Sequence, residues 1–272
     1  MPRIIRLTVY PIKSCAGVFV EQAHVGYTGL KYDREFMVID REGNFVSQRT
    51  ERDLCHVKVL LKDSLLTICA EGIGTHQLDL EQKGWRQNKL RQVRIHKESC
   101  VASHVDEAYD DFFSELLGKP CEVVRMHPSY PRKRISSALQ REILASFSDG
   151  YPILVLSEAS MDCLNGKVPD GTQIPLNRFR SNIVVRGCSP HAEDRWEFAR
   201  CGAVELQFAK PCMRCSIPQV DQHTGRLGKE PARSLAKYRR GLVPSSNAVC
   251  FGSNYVVTRT GILKVGDELR VH

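Results

Sequence analysis

Alternation of apolar and polar residues recurs along this chain and predicts β-strands, because it places every second side chain on one face of a sheet. The first such stretch has Ile5, Leu7 and Val9 before a proline. The segments 57–61 and 65–70 flank a short polar turn and predict a hairpin. Alternation or short apolar runs predict the other strands at 36–39, 90–95, 123–124, 153–156, 183–185, 204–208, 248–257 and 269–271.

Helical spacing is rarer. Apolar residues within 106–117 fall on one helical face, and Gly118 predicts the end of that helix. Ser157 is a good N-cap for a second helix at 157–164, and a short third helix is predicted at 231–237. Many short strands and few helices predict a mainly β fold of the α+β class.

The domain organisation is suggested by one polar stretch. The 272 residues suit one large domain or two small ones. Two prolines and the basic run Arg132-Lys133-Arg134 predict a linker near 127–148. The basic run is interpreted as a solvent-exposed loop, which is the common environment of such charges.

Composition is that of an ordinary globular protein, with 42% hydrophobic and 26% charged residues. Eleven cysteines without framework spacing favour a reducing compartment. The segment 1–7 lacks the apolar core of a signal peptide, and no apolar run approaches the ~18 residues that span a bilayer. We therefore expect a soluble cytoplasmic protein without membrane contact.

The net charge of +8 favours anionic partners. No nucleic acid is expected among them, because no helix-turn-helix, zinc finger or aromatic-interleaved basic stripe occurs. A phosphorylated cofactor or an acidic electron-transfer partner would use the same charge.

The segment Cys212-Met213-Arg214-Cys215 carries the clearest candidate chemistry. A thiolate is a nucleophile and a soft metal ligand, and a neighbouring cation favours the deprotonated form. A structural zinc would need two further ligands, and a thioredoxin-like pair would open a helix. On this segment alone, incidental or structural cysteines are slightly favoured over a metal thiolate.

Eight short motifs along the chain reverse this preference and favour a metal thiolate over incidental cysteines. They are Tyr10-Pro11-Ile12-Lys13-Ser14-Cys15, Asp33-Arg34, Ser148-Asp149-Gly150-Tyr151-Pro152, Leu156-Ser157-Glu158-Ala159-Ser160, Asn177-Arg178-Phe179-Arg180-Ser181-Asn182-Ile183, Cys212-Met213-Arg214-Cys215, Val220-Asp221 with Thr224-Gly225, and Lys264-Val265-Gly266-Asp267. Their order resembles that in the MOSC proteins, and within them in the mitochondrial amidoxime-reducing components and their bacterial relatives. The resemblance covers nearly the whole chain.

The resemblance implies a molybdenum enzyme with two domains. An N-terminal β-barrel domain, residues 1–126, would pack on a MOSC β-barrel domain, residues 127–272, and a molybdopterin-type cofactor would bind between them. Cys215 would be the metal ligand and the catalytic residue, with Arg214 favouring its deprotonated form. Cys212 would be a neighbour of the site and not a ligand.

The resemblance also implies which residues bind the cofactor. An arginine fork suits a phosphate, and other polar residues would contact the pterin. Ser157 and Ser160 are interpreted instead as helix-capping residues. The implied cofactor-binding residues are Lys13, Ser14, Arg34, Asp149, Gly150, Tyr151, Arg180, Asn182 and Asn254.

The implied activity is reduction of N-hydroxylated compounds, such as hydroxylamines, amidoximes and N-hydroxylated bases. A separate reductase or small redox carrier would supply electrons, since the chain has no Gly-x-Gly-x-x-Gly fingerprint and no ferredoxin-type cysteine spacing. No pyridoxal phosphate, NAD or iron–sulfur site is therefore expected. The basic run 132–134 is a candidate docking patch for an acidic carrier.

Two alternatives stay open. MOSC domains also occur in molybdenum-cofactor sulfurases, so Cys215 would serve in sulfur or cofactor transfer. The weaker alternative is a metal-free interaction module.

Overall fold

The computed structural model describes residues 1–82, 84–244 and 246–272. The strands of the first half are β1 (Arg3–Val9), β2 (Val18–Val20), β3 (Gln22–Gly26), β4 (Gly29–Leu30), β5 (Phe36–Ile39), β6 (Lys58–Lys62), β7 (Leu65–Ala70), β8 (Gly74–Asp79), β9 (Leu90–Ile95), β10 (Glu98–His104) and β11 (Glu122–Met126). Those of the second half are β12 (Lys133–Ser136), β13 (Arg141–Leu144), β14 (Ile153–Ser157), β15 (Ile183–Arg186), β16 (Phe198–Cys201), β17 (Val204–Met213), β18 (Cys250–Arg259), β19 (Gly261–Lys264) and β20 (Arg270–Val271). The α-helices are α1 (Glu107–Leu117), α2 (Glu158–Asn165) and α3 (Ala232–Leu235). The predicted mainly β fold with a few helices is confirmed.

The largest sheet joins the two halves of the chain. Its strand order is β2-β1-β15-β14-β18-β17-β16-β20, so the N-terminal strands β1 and β2 complete a sheet of C-terminal strands. Strands β14 and β15 are parallel, and the other neighbours are antiparallel. Strand β19 likewise pairs with β3. Each half therefore contributes strands to the other's sheets.

Three smaller sheets belong to one half each. Strands β5-β11-β10-β9 form one sheet, and β6-β7-β8 form another that contains the predicted hairpin at 57–70. Strands β12 and β13 form a hairpin inside the predicted linker, and Phe147 just after it is fully buried. The linker prediction is therefore wrong, because this stretch forms a packed hairpin despite its prolines and charges.

The two predicted helix starts are confirmed by their caps. The Asp106 carboxylate accepts a hydrogen bond from the Tyr109 N–H at 2.9 Å, and Gly118 ends α1 in the left-handed region, with φ of 63°. The Ser157 hydroxyl accepts from the Ser160 N–H at 3.2 Å and begins α2.

The main hydrophobic core draws on both halves. Leu7, Phe36 and Phe113 from the first half share one cluster with Val155 and Tyr255 from the second. Full burial of one such side chain contributes about 1.5–3 kcal/mol, so this shared core fixes the two halves against each other. In the described residues, no helix has the length and apolar character that crossing a membrane requires.

Candidate functional site

A cleft of about 290 Å³ lies between loops from both halves of the chain. Lys13, Ser14, Arg34 and Arg49 line it from the first half, and we call them the N-terminal wall. All ten residues predicted for the site line this cleft, although their roles stay predictions. They are Lys13, Ser14, Arg34, Asp149, Gly150, Tyr151, Arg180, Asn182, Cys215 and Asn254.

Three of these residues have left-handed backbone conformations. The φ angles are 72° at Ser14, 49° at Arg34 and 56° at Arg180. Such angles are uncommon outside glycine and persist where the surroundings hold them, often at functional sites. One such support is buried Gln48, whose Nε2 donates to the Ser14 carbonyl at 2.5 Å.

Tyr10 is a site residue that sequence reasoning missed as such. Its buried ring lies against two guanidinium groups, with Arg34 Cζ 4.2 Å and Arg180 Cζ 4.3 Å from the ring centroid. Cation–π attraction to the ring stabilises two like charges that both line the cleft. Gly17 allows the ring this position, because a Cβ there would lie 2.4 Å from the Tyr10 ring.

The two arginines beside Tyr10 differ in their partners. Arg34 Nη1 donates to both Asp33 carboxylate oxygens, at 2.8 and 2.7 Å. Arg180 Nη1 donates to the Cys15 carbonyl at 2.7 Å, while its buried Nη2 has no partner among the described residues. Burial, and then the charge of Arg34, lower the pKa of Arg180 to about 10. An anion bound beside Arg180 would stabilise its buried positive charge.

Asp149 is the carboxylate at the centre of the cleft. Its Oδ1 accepts from buried Lys13 Nζ at 2.5 Å and lies 3.4 Å from His96 Nε2, and its Oδ2 accepts from Arg49. Burial acts to raise the pKa of Asp149, but Lys13, His96 and Arg49 outweigh it and hold the pKa well below its usual range. Burial lowers the pKa of Lys13, against the opposing effect of Asp149.

The loop that carries Asp149 is held by the basic run that we predicted to face solvent. Arg132 is 2% exposed and donates to the Ser146 and Ser148 carbonyls at 2.9 and 2.5 Å. Arg134 donates to the Gly150 carbonyl. Both guanidinium groups pair with Glu98. The interpretation of this run as a solvent-exposed loop is therefore wrong for Arg132 and Arg134, because both cations bond backbone carbonyls beside the cleft. Lys133 is exposed, so the run offers a docking partner one cation instead of three.

The next predicted residues have structural bonds of their own. The Tyr151 hydroxyl lies 3.0 Å from the Ser136 hydroxyl. Asn182 accepts from the Leu154 N–H at 3.1 Å and donates to the Thr8 carbonyl at 3.2 Å, so it joins strands as well as lining the cleft. Asn254 lies on β18, opposite Leu154 on β14, and also lines the cleft.

The two cysteines of the candidate metal segment have different neighbours. Arg214 Nη1 donates to Cys212 Sγ at 3.0 Å, and Nη2 donates to the Phe179 carbonyl at 2.9 Å. Arg214 thus lies beside Cys212, since side chains two apart on extended backbone share a side, and its expected effect on Cys215 stays a prediction. Cys215 itself is exposed in the cleft.

Arg49 is a cation of the N-terminal wall whose pKa depends on Cys215. Burial acts to lower the pKa of Arg49, but Asp149 and Cys215 raise it. Because Arg49 comes from the other half of the chain, local sequence gave no sign of this effect. Within the described residues, no group of three or more His, Cys, Asp or Glu side chains is placed to hold a metal ion.

The Cys215 loop is held by a second motif pair. Arg178 donates to the Asp221 carboxylate at 2.6 Å. Asp221 also accepts from the His223 and Thr224 N–H groups at 3.0 and 2.9 Å. The hydrogen bond from Thr224 is the main cause that lowers the pKa of Asp221 to about 2, with burial opposing it. These bonds join the motif that contains Arg178 to the motif that contains Asp221, which follows Cys215 in the chain.

The charge of the cleft fits a phosphorylated ligand. Among its described lining residues, seven are cations and one, Asp149, is a carboxylate. Arg180, Lys210, Arg214 and Cys215 form what we call the C-terminal wall. Buried donors without a partner among the described residues include Arg49 Nη1, Arg180 Nη2 and Arg214 Nε. Acceptor oxygens of a phosphate would satisfy such donors.

Comparison with known proteins identifies the family of this chain. Residues 1–120 match the MOSC N-terminal beta barrel domain, and residues 144–270 match the MOSC domain. The chain therefore belongs to the MOSC family, as its motifs indicated. The boundary after residue 126 stays a prediction.

Three curated relatives illustrate the similarity. The mouse mitochondrial amidoxime-reducing component 1 is 34% identical over 98% of this chain and 81% of its own length. The bovine mitochondrial amidoxime reducing component 2 is 34% identical over 97% of this chain and 81% of its own length. The zebrafish (Danio rerio) molybdenum cofactor sulfurase is 29% identical over 87% of this chain, which spans 30% of that protein.

Proposed function

We propose that this protein binds a molybdenum cofactor and reduces N-hydroxylated compounds, including hydroxylamines, amidoximes and N-hydroxylated bases. One observation supports this most: ten residues separated along the chain line one cation-rich cleft that exposes the Cys215 thiol. The similarity to two amidoxime-reducing components over nearly the whole chain supports the reaction class.

Each wall of the cleft would have a separate task in holding the cofactor. Arg180 would bind the phosphate with its free Nη2, and Lys13 and Ser14 would contact the opposite side. Cys215 would be the protein ligand of molybdenum, because a soft thiolate suits this metal. When bound, the cofactor supplies the two-electron chemistry that cleaves an N–O bond.

The remaining lining residues would orient the cofactor and the substrate. Tyr151 and Asn254 would contact the pterin, and Asn182 would fix the loop beside it. Arg49 would hold the Cys215 side chain while it pairs with Asp149. Electrons would come from a separate reductase or a small redox carrier.

A second candidate function is cofactor or sulfur transfer through Cys215. The similarity to a molybdenum cofactor sulfurase favours it, and so does the exposure of the thiol. In that case Cys215 would carry sulfur transiently instead of ligating the metal permanently.

One experiment separates these functions. The protein is expressed in a molybdenum-sufficient host, and molybdenum, pterin and benzamidoxime reduction with a reduced dye are measured on one preparation. We expect roughly stoichiometric metal and pterin together with turnover. Bound cofactor without turnover of benzamidoxime or any hydroxylamine, combined with a persulfide on Cys215, would favour transfer. Absence of both metal and pterin would contradict both functions.

A further inference from the structure

A positively charged segment begins at the cleft with Arg214 and Cys215 and continues outside it. The chain leaves β17 at Met213 and enters β18 at Cys250, and these two residues pair in the sheet. We call the residues between them, 214–249, the lobe. The lobe contains seven Lys or Arg residues and two carboxylates, so it carries a net charge of +5 out of the chain's +8.

Both carboxylates of the lobe already accept hydrogen bonds from nearby groups. Asp221 accepts from Arg178 and from its own turn, and Glu230 Oε2 accepts from the Ser234 N–H at 3.0 Å. Five cations of the lobe are exposed, and none of them forms an ion pair with another described residue. These are Arg226, Lys229, Arg233, Lys237 and Arg240.

Part of this charge lies beside the opening of the cleft. The Arg214 N–H donates to the Val249 carbonyl at 2.8 Å, and Val249 pairs in turn with Arg240. The end of β17 and the segments around residues 240 and 249 therefore lie side by side. Met213, which lines the cleft, and Leu242 are 39% and 40% exposed.

We call Met213, Arg233, Lys237, Arg240 and Leu242 the docking face. Arg233 lies on α3, and Lys237 lies four residues later on the helical turns that lead to Arg240. The face combines two exposed apolar side chains with three exposed cations, as interfaces combine apolar and polar residues. Such cations steer an oppositely charged partner and raise its association rate.

We propose that the docking face binds an acidic electron-transfer protein that delivers electrons to the metal site at Cys215. The proposal rests on the proposed function, in which an N-hydroxyl group takes up two electrons and two protons to give an amine and water. Two reduced molecules of a one-electron carrier are oxidised in turn as they supply these electrons, and solvent supplies the protons. Met213 lies two residues from Cys215, so a carrier bound here is close to the site that uses its electrons.

The test measures binding apart from turnover. A plant-type [2Fe–2S] ferredoxin of net negative charge is titrated into the cofactor-loaded protein, and Kd is followed by fluorescence anisotropy at low and high salt. The variants are the pair Lys237→Glu with Arg240→Glu, and the pair Arg233→Glu with Lys237→Glu. The second pair keeps the hydrogen bond that Arg240 Nη1 donates to the Asn247 carbonyl at 3.2 Å. The control is Lys58→Glu with Lys62→Glu, two exposed cations on β6 with the same change of charge.

We expect both lobe pairs to raise Kd about tenfold or more at low salt, and the control pair to raise it less than about threefold. The difference should shrink as salt screens exposed charges. The dye-driven rate should stay unchanged in all variants, since none of these residues lines the cleft. Equal weakening by lobe and control pairs, or no ferredoxin binding by the wild type, would overturn the docking face. Absence of dye-driven turnover in the cofactor-loaded wild type would instead contradict the proposed function.

Discussion

The two walls of the cleft carry cations of different kinds. On the N-terminal wall, Lys13 pairs with Asp149 and Arg34 pairs with Asp33, so most of their charge is compensated inside the protein. On the C-terminal wall, Arg180 has only a carbonyl and the face of a tyrosine as partners among the described residues. The first kind of cation holds the protein together, and the second kind is available to a ligand.

Arg214 extends this difference between the walls. Its guanidinium donates to Cys212 Sγ and to a carbonyl, and in the described part of the chain no carboxylate lies within ion-pair distance. Arg180 and Arg214 thus place uncompensated charge on the wall that also presents Cys215. An anionic ligand with a metal at one end would use both the uncompensated positive charge and the Cys215 thiol of that wall.

The largest expected effect concerns folding. Arg34→Met should lower the free energy of unfolding by about 3–5 kcal/mol, because it leaves the fully buried Asp33 carboxylate without its cation. Arg180→Met should change it by less than about 1 kcal/mol, since the loss of one hydrogen bond is offset by the removal of a buried, unpaired charge. Urea unfolding of the cofactor-free protein measures both. Similar losses in the two variants would contradict the distinction between the walls.

For cofactor retention we expect the C-terminal wall to matter more than the N-terminal wall, which is the opposite of the order expected for unfolding. Arg180→Met should weaken retention about 10–100-fold, the value of a lost charge-assisted hydrogen bond of about 1.5–3 kcal/mol. Lys13→Met should weaken it less, because Asp149 already shares the Lys13 charge. Molybdenum and pterin contents after dialysis measure this, with Lys62→Met as an exposed control. Full contents in both variants and in their double variant would show that neither residue holds the cofactor.

A smaller effect is expected beneath the cleft. Arg132→Ala should cost about 1–3 kcal/mol, because two backbone carbonyls lose their buried donor. Lys133→Ala should stay within about 0.5 kcal/mol, as its side chain is 61% exposed and forms only a surface ion pair. Thermal unfolding of both variants tests this contrast within one basic run. Equal shifts in Tm would mean that the bonds of Arg132 to the Asp149 loop contribute nothing.

The smallest effect is a dependence on acid pH. The pKa of Asp149 lies well below its usual range in the folded protein, so the unfolded chain takes up this proton first as pH falls. The stability that Asp149 contributes is therefore complete above about pH 5 and decreases as pH falls below about 4. Asp149→Asn should flatten the loss of unfolding free energy between pH 5 and 3, relative to the exposed control Asp111→Asn. Identical slopes would show that Asp149 gains nothing from its cations.

Local patterns in the sequence predicted local structure well. The end of α1 and the start of α2 lie where Gly118 and Ser157 indicated, because capping depends on neighbours a few residues away. Pairing of β1 with β15 was not predictable from such patterns, since alternation does not say which strand lies alongside.

Charge was the least predictable property. A sequence gives the sign of Arg132 but not its environment, and burial with Glu98 and two carbonyls reverses the usual expectation for a basic run. The resemblance to a family indicated ten of the residues that line the cleft. Arg49 and Tyr10 were not assigned to the site, because their partners Cys215 and Arg180 come from the other half of the chain.

The comparison of Cys215 with Cys212 tests the central claim most directly. Cys215→Ser and Cys212→Ser are purified with cofactor, and molybdenum content and benzamidoxime reduction by a reduced dye are measured against the wild type. We predict that Cys215→Ser loses the metal or slows reduction more than about 100-fold, while Cys212→Ser slows it less than about tenfold, because losing a ligand outweighs losing a neighbour. Equal losses in the two variants, or full activity in Cys215→Ser, would contradict a metal site built on Cys215.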